Sequence, residues 1–258
     1  MYTLIEVTTR QHETDFLELP VRLYKGNPWW IRPLDNDIRN VFDPAKNPCF
    51  QNGECIRWIL KDETGQCVGR VAAFINRKTC HLDKYSVGQM GFFECIDDRQ
   101  AAFCLFDKCR EWLEGKGMEA MEGPVNFGER IEWWGLLVDG FDQSPVYAMP
   151  YTQPYYVSFF ENYGFLLLYA VITVAGGRGR LFRVLTGPAP DGGGMALIPL
   201  TGRGHVFGQL FDVLAPYSGK TGLQVCQFLV RQENILVTAI GAGGASLLYL
   251  SLYLYLFL

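Results

Sequence analysis

The stretch GFFECIDDRQAAFCLFDKCREWLEGKG, residues 91–117, constrains the fold more than any other part of the chain. An apolar, aromatic run suited to a strand ends in two aspartates and passes directly into a helical pattern. Ala102, Phe103, Leu105, Phe106, Cys109, Trp112 and Leu113 fall on one stripe, so the helix must bury one face. Asp97 or Asp98 is the expected cap, and the glycines of EGKG close the helix. Junctions of this kind hold phosphates on free amides at the helix N-terminus. Here acids stand where glycines would.

The flanking segments supply a sheet for that helix. YTLIEVTT (2–9) alternates and reads as a strand, and HETDFLELPVRLYKG (12–26) as a helix capped at Thr14 or an earlier polar residue, interrupted at Pro20. NPWWIRPLDNDIRNVFDPAKNPCF is punctuated by prolines and is expected to be extended and irregular. ECIRWILKD and CVGRVAAFIN, separated by ETGQ, make a hairpin. MEAMEGPVN is a further strand, followed by a long aromatic loop and a short helix, YYVSFFENYGF.

That order, together with LYKGNPWWIRPL, FDPAKNPCF, GRVAAFIN, GFFE, GPVN, GLLVDGF and ENYGF, resembles the GNAT acyltransferase superfamily over about residues 1–165. More narrowly it is similar to a group of bacterial GNAT-like proteins in which a longer chain continues into a second domain. The resemblance implies an α/β (α+β) fold with a mixed, mostly antiparallel central sheet flanked by helices. It also implies transfer of an acyl group from acetyl-CoA or another acyl-CoA to a small-molecule amine or peptide acceptor. The family's [QR]-x-x-G-x-[GA] phosphate loop, laid over this sequence, starts at Asp97, puts Gln100 at the first glycine and conforms only at Ala102. Its YxxxGF motif finds Gly164 and Phe165, with Phe160 where the tyrosine would donate a proton. The cofactor-binding candidates implied are Cys95, Ile96, Gln100, Ala101, Ala102 and Asn126.

Among the residues themselves, Glu94 ends the central strand between apolar neighbours that would raise its pKa, which suits a base; the alternative is a carboxylate on a half-exposed strand. Tyr156, one turn before Phe160, is the second catalytic candidate, with Tyr163 three residues after it. Asn126 is either a ligand of the cofactor arm or a turn residue after Pro124. Trp29, Trp30, Trp133 and Trp134 are the substrate-binding candidates, and the aromatic loop 127–154 either covers an acceptor pocket or fills a satellite core. GGRG (176–179) is tested as a displaced phosphate loop between a strand and a helix.

Composition narrows the classes. A net charge of −4 and a pI near 5.5 leave no basic face for nucleic acid. Eight cysteines without a CxxC pair and three histidines give no zinc pattern, so no metal is expected. The start lacks a signal-peptide pattern, which makes the expected compartment cytoplasmic. Beyond Phe165 charge falls from roughly one residue in four to one in ten, marking 166–258 as a second, glycine-rich apolar region. Three readings stay open for it: a region not native to the first half, a strand-forming extension, or a membrane anchor through the uncharged residues 235–258. Two function classes stay open as well, an acyl-CoA-dependent N-acyltransferase and a non-catalytic GNAT-fold binding module with a degenerate cofactor site.

Overall fold

The computed structural model describes residues 1–81, 85–128, 132–145, 147–175, 178–186, 223–231, 234–241 and 244–248. The elements run β1 (Thr3–Glu6), α1 (Arg10–Leu23), α2 (Asp35–Val41), a 3-10 turn (Pro48–Gln51), β2 (Gly53–Lys61), β3 (Cys67–Asn76), β4 (Val87–Cys95), α3 (Arg99–Gly115), β5 (Ala120–Gly123), β6 (Leu136–Asp139) and α4 (Tyr156–Tyr163). Strands β7 (Leu166–Ala175), β8 (Arg178–Thr186), β9 (Leu223–Arg231), β10 (Asn234–Gly241) and β11 (Gly244–Leu248) follow. The sheet order is β1-β2-β3-β4-β5-β8-β7-β9-β10-β11, with β6 on β8. Every pairing is antiparallel except β4 with β5. This is the mixed α/β architecture that the resemblance implies.

Local chemistry explains the joints. The β2–β3 hairpin turns where the Asp62 carboxylate accepts from the Thr64 and Gln66 amides at 2.9 and 3.0 Å, and Gly65 takes φ +81°. Thr9, rather than Thr14, caps α1 by accepting from the His12 amide. Asp98 caps α3, and Gly164 ends α4 in the left-handed region at φ +99°. The segment expected to be irregular contains the two-turn helix α2, which begins right after Pro33 and has Asp35 and Asp37 in its first turn.

The described first half has three layers. Ala102, Leu105, Phe106, Cys109 and Leu113 of α3 pack with Val71, Ala73 and Ile75 of β3 and with Phe159 and Phe160 of α4. On the opposite face, Phe16 and Leu19 of α1 and Ile38 of α2 pack with Ala72 and Phe74 of β3. Strand β3 is therefore buried on both sides, which accounts for an apolar run interrupted only by Arg70.

Proline inside α1 has a consequence for the whole fold. Pro20 has no amide hydrogen for the Phe16 carbonyl, which would otherwise close the helical turn. Arg70 of β3 takes that place, its Nη1 donating to Phe16 O at 2.7 Å. The helix defect is thus satisfied from the sheet, and α1 is pinned to β3.

Beside β4 the sheet comes apart. The parallel β4–β5 ladder holds only Val87↔Ala120, Gly88↔Met121 and Gln89↔Glu122. The Val125 carbonyl presses against Gly91, where a Cβ would sit 1.9 Å from the oxygen. Phe92 then takes φ +52°, and the β3–β4 register shifts between Arg70 and Ala72, a bulge that bends the end of β4 away.

For the region after Phe165, the backbone of β7 to β11 matches the strand-forming reading. Among the described residues no helix is long and apolar enough to cross a membrane. In GGRG, Gly176 and Gly177 lie outside the described residues, and strand β8 follows them where a helix was expected. Residues 249–258 also lie outside the described residues.

The close approach at Gly91 makes a sharp prediction. Gly91→Ala should cost about 1–3 kcal/mol through backbone overlap, whereas Gly115→Ala, with nothing within 4 Å of the added carbon, should be neutral or stabilise by up to about 1 kcal/mol. Urea unfolding of both variants checks the pair.

Candidate active site

Past the bulge, Glu94 turns into the protein. It is only 8% exposed and lies on the wall of a cavity of about 70 Å³. The Tyr24 hydroxyl, from the C-cap of α1, and the Tyr156 hydroxyl, from the first turn of α4, both donate to Glu94 Oε2 at 2.9 Å. Arg70 Nη2 stands 3.7 Å from Oε1. That is a charge contact beyond hydrogen-bond range, and it leaves Oε1 with acceptor capacity.

Tyr156 also occupies the backbone edge that β5 abandons. Its oxygen accepts from the Cys95 amide at 2.9 Å, while the Cys95 carbonyl accepts from Tyr155 at 2.9 Å. With that carbonyl supplied, the single Tyr156 proton is directed to Glu94. Sequence reading expected a half-exposed strand end or a buried base; the structure shows a buried carboxylate held by two phenols and one guanidinium.

Burial raises the Glu94 carboxyl above its ordinary value, opposed first by the Arg70 charge and then by the Tyr156 and Tyr24 hydroxyls. Burial and the Glu94 charge push both tyrosines well above the usual phenol value, so they stay protonated donors. Tyr156 therefore holds and orients the Glu94 carboxylate as a protonated donor. Tyr163 bonds the exposed Asp107 at 2.8 Å and takes no part here.

Around Glu94 the cavity is apolar: Trp30, Ile31, Ile38, Phe92, Leu136 and Met149 contribute, with Trp133, Tyr151 and Phe160. Trp30 stacks on Tyr24 at 5.1 Å and 8°. Of the four tryptophans singled out, Trp30 and Trp133 line this cavity. Trp29 projects outward at 40% exposure, and Trp134 is buried in the α1–α2 core. The long loop reaches both the cavity and a satellite core. It carries Trp133, Met149 and Tyr151 to the cavity, while Leu137, Met149, Tyr151 and Tyr24 form a satellite core.

The expected cofactor residues behave differently. The Ala101 amide donates to Asp98 Oδ1 at 2.9 Å, the Gln100 amide is also directed at Asp98, and the Ala102 amide bonds the Asp98 carbonyl at 3.1 Å. The Ile96 amide bonds Val68 O at 3.0 Å, and that of Cys95 goes to Tyr156. Four of these amides have hydrogen-bond partners within the chain, and that of Gln100 faces Asp98. The Ala101 amide chiefly, with the Tyr2 hydroxyl and the Gln100 amide, holds Asp98 below the usual carboxylate range, so it is charged. The α3 N-terminus therefore fits a pyrophosphate poorly: the Ala101 and Ala102 amides are taken and its field is already met by the Asp98 carboxylate.

Asn126 lies apart from Glu94, on a second hollow of about 290 Å³ shared with Asn40, Lys46 and Tyr147. Its Oδ1 is buried with no hydrogen-bond partner among the described residues. Among the described residues no group of three or more His, Cys, Asp or Glu side chains is arranged to hold a metal ion.

Sequence reasoning missed Tyr24 and Arg70. A signal existed for Arg70, the one charge inside the otherwise apolar CVGRVAAFIN. Tyr24 had none, because nothing local marks a tyrosine that meets Glu94 across 70 residues.

No family model matches the chain. Protein YghO of Escherichia coli K12 is 36% identical over 152 residues, covering 58% of this chain and 38% of that protein. A bacterial ceramide synthase of Caulobacter vibrioides is 32% identical over 154 residues, 59% of this chain and 40% of that one. The chain thus matches about two fifths of the length of either relative. Among solved structures, a GNAT-superfamily phosphinothricin acetyltransferase from Sinorhizobium meliloti in complex with acetyl-CoA aligns at TM-score 0.46 and 13% identity, over 78% of this chain and 97% of that one. A tandem GNAT protein from the clavulanic acid pathway aligns at 0.45 and 10%, over 95% and 76%. At such overlap and identity no activity transfers from these structures.

The raised Glu94 value sets a pH dependence. A carboxyl whose folded value lies above the unfolded one contributes stability that is fully present below the ordinary value of 4.5 and is lost as pH rises through the folded value. The stability difference between the parent protein and Glu94→Gln should therefore shrink as pH rises from about 4.5 toward neutrality. Parallel urea titrations across that window read it; a difference independent of pH would contradict a raised value.

Proposed function

We propose that this chain carries the amine-acylating site of an N-acyltransferase, in which Glu94 removes a proton from the acceptor ammonium. The observation that carries the reading is a buried carboxylate, with one oxygen outside hydrogen-bond range of its charge partner, on the wall of a largely apolar cavity where β4 leaves its neighbour. An amine becomes nucleophilic only when deprotonated, and a carboxylate raised toward neutrality by burial is suited to that transfer. Tyr24 and Tyr156 hold Oε2, so the proton goes to Oε1. Arg70 keeps the carboxylate ionised often enough to act, since an isolated buried carboxyl would stay neutral.

The apolar lining suits an acceptor amine on a hydrocarbon body better than an amino sugar or a charged peptide. The name of the Caulobacter relative supports the same class, because a ceramide is the fatty amide of a long-chain amino alcohol. Acyl-CoA is the donor implied by the family resemblance, but at the α3 N-terminus the Asp98 carboxylate takes the Ala101 amide and stands where a phosphate would. That observation favours a second reading, a binding module that retains the acceptor pocket without catalysis.

Mass spectrometry separates the two. The full chain, incubated with acetyl-CoA or palmitoyl-CoA and a long-chain amino alcohol, should form the N-acyl product. Glu94→Gln should lower the rate by a factor of about 10²–10⁴, and Tyr156→Phe by less, with its acid limb moved to higher pH as the carboxylate loses a donor. No product, and no heat of acyl-CoA binding by calorimetry, would leave the binding module standing.

A further inference from the structure

Cys95 ends β4 with both of its backbone groups turned away from β3. The Ile96 amide bonds Val68 O at 3.0 Å, and in an antiparallel pair the adjacent residue points its N–H and C=O to the opposite edge. That edge would belong to β5, but the β4–β5 ladder ends at Gln89↔Glu122. Two consecutive hydroxyls at the start of α4 stand in for the missing strand. Tyr155, the N-cap residue, donates to the Cys95 carbonyl at 2.9 Å, and the Cys95 amide donates to the Tyr156 oxygen at 2.9 Å.

One proton is then contested. The Tyr156 oxygen lies 2.9 Å from Glu94 Oε2 and 3.1 Å from the Cys95 carbonyl, and its hydroxyl can serve only one of them fully. Cys95 is fully buried, so its carbonyl needs a donor from the protein. Tyr155 supplies that donor. Burial chiefly holds the Tyr155 phenol above its ordinary value, so it stays protonated. Its ring is set edge-on against Tyr156 at 5.0 Å and against Phe159 at 5.5 Å, contacts that do not need the hydroxyl.

We propose that Tyr155 is a positioning residue for Glu94 that acts through Tyr156: by completing the Cys95 carbonyl it commits the one Tyr156 proton to the Glu94 carboxylate. Without the Tyr155 hydroxyl, an ionised Glu94 must either give up the Tyr156 donor or leave the Cys95 carbonyl unpaired. A neutral Glu94 has no such conflict, because Tyr156 can then turn to Cys95. Loss of Tyr155 therefore favours the protonated carboxyl. The other groups facing Glu94 are Arg70 from β3 and Tyr24 from α1, with Cys95 and Asp97 near Tyr155 beyond the strand end, and all are kept when that hydroxyl is removed. The value of this arrangement to catalysis rests on Glu94 being the base of amine acylation, whereas the proton assignment does not.

The test is a carbon-13 NMR titration of the glutamate carboxyls in the full chain without substrate, the Glu94 signal being assigned by its loss in Glu94→Gln. Tyr155→Phe, which keeps the ring, should move the Glu94 titration to higher pH. Tyr156→Phe should move it in the same direction. The double variant Tyr155→Phe, Tyr156→Phe should titrate as Tyr156→Phe alone, because Tyr155 has no route to Glu94 once the intermediate hydroxyl is gone. An unmoved titration in Tyr155→Phe would overturn the proposal. So would additive shifts in the double variant, which would mean that Tyr155 acts on Glu94 directly. The acid limb of the acylation rate gives a separate answer: a Glu94 titration that moves in Tyr155→Phe while the limb stays would remove Glu94 as the base and leave its positioning by Tyr155 intact.

Discussion

The hydrogen bond from Arg70 to the Phe16 carbonyl is the interaction on which the site depends. It exists because Pro20 cannot supply the helical donor, and an unpaired buried carbonyl carries a cost comparable to a lost hydrogen bond. Answering that cost from the sheet buries a guanidinium, leaving it 6% exposed. Its neighbour Glu94, 3.7 Å away, provides the opposing charge. Each buried ion would be costly alone. Together, with two phenols on the free side of the carboxylate, they make a polar core inside an apolar shell.

The same arrangement couples elements far apart in sequence. Tyr24 reaches Glu94 from the end of α1 and Tyr156 reaches it from the start of α4, so the two helical layers meet on one carboxylate oxygen across the sheet edge. That meeting is geometrically open only because β4 bulges at Phe92 and parts from β5. Had the parallel ladder continued, the Cys95 amide would have paired with a strand instead of the Tyr156 hydroxyl.

The two ends of the strand–helix junction have been treated in opposite ways. On the Glu94 side one acceptor atom faces a cavity. On the α3 side the donors have been consumed, chiefly by Asp98, whose carboxylate serves the helix in the way a bound anion would. The Glu94 cavity is thus left open while the start of α3 is met by the protein's own carboxylate. The hollow at Asn126, with its buried oxygen unpaired among the described residues, is a separate polar recess.

Much of the first half was legible in its residues. The period of α3, the hairpin turn at Asp62–Gly65, the Asp98 cap and the Gly164 stop are local, and local geometry follows from local chemistry. Helix α2 was not, since its residues are proline-flanked and weakly amphipathic, and it is held by tertiary contacts, the packing of Ile38 and Phe42 and the Arg39–Glu13 ion pair to α1. The sequence alone determined that Glu94 would end the central strand and that acids would occupy the helix start. Tertiary structure decided that Glu94 is buried, that Tyr24, Tyr156 and Arg70 surround it, and that Trp30 and Trp133 face it while Trp29 and Trp134 do not. The reason is physical: caps and periods are fixed within a few residues, whereas the charge state of a carboxylate depends on groups that only the folded chain brings within 4 Å.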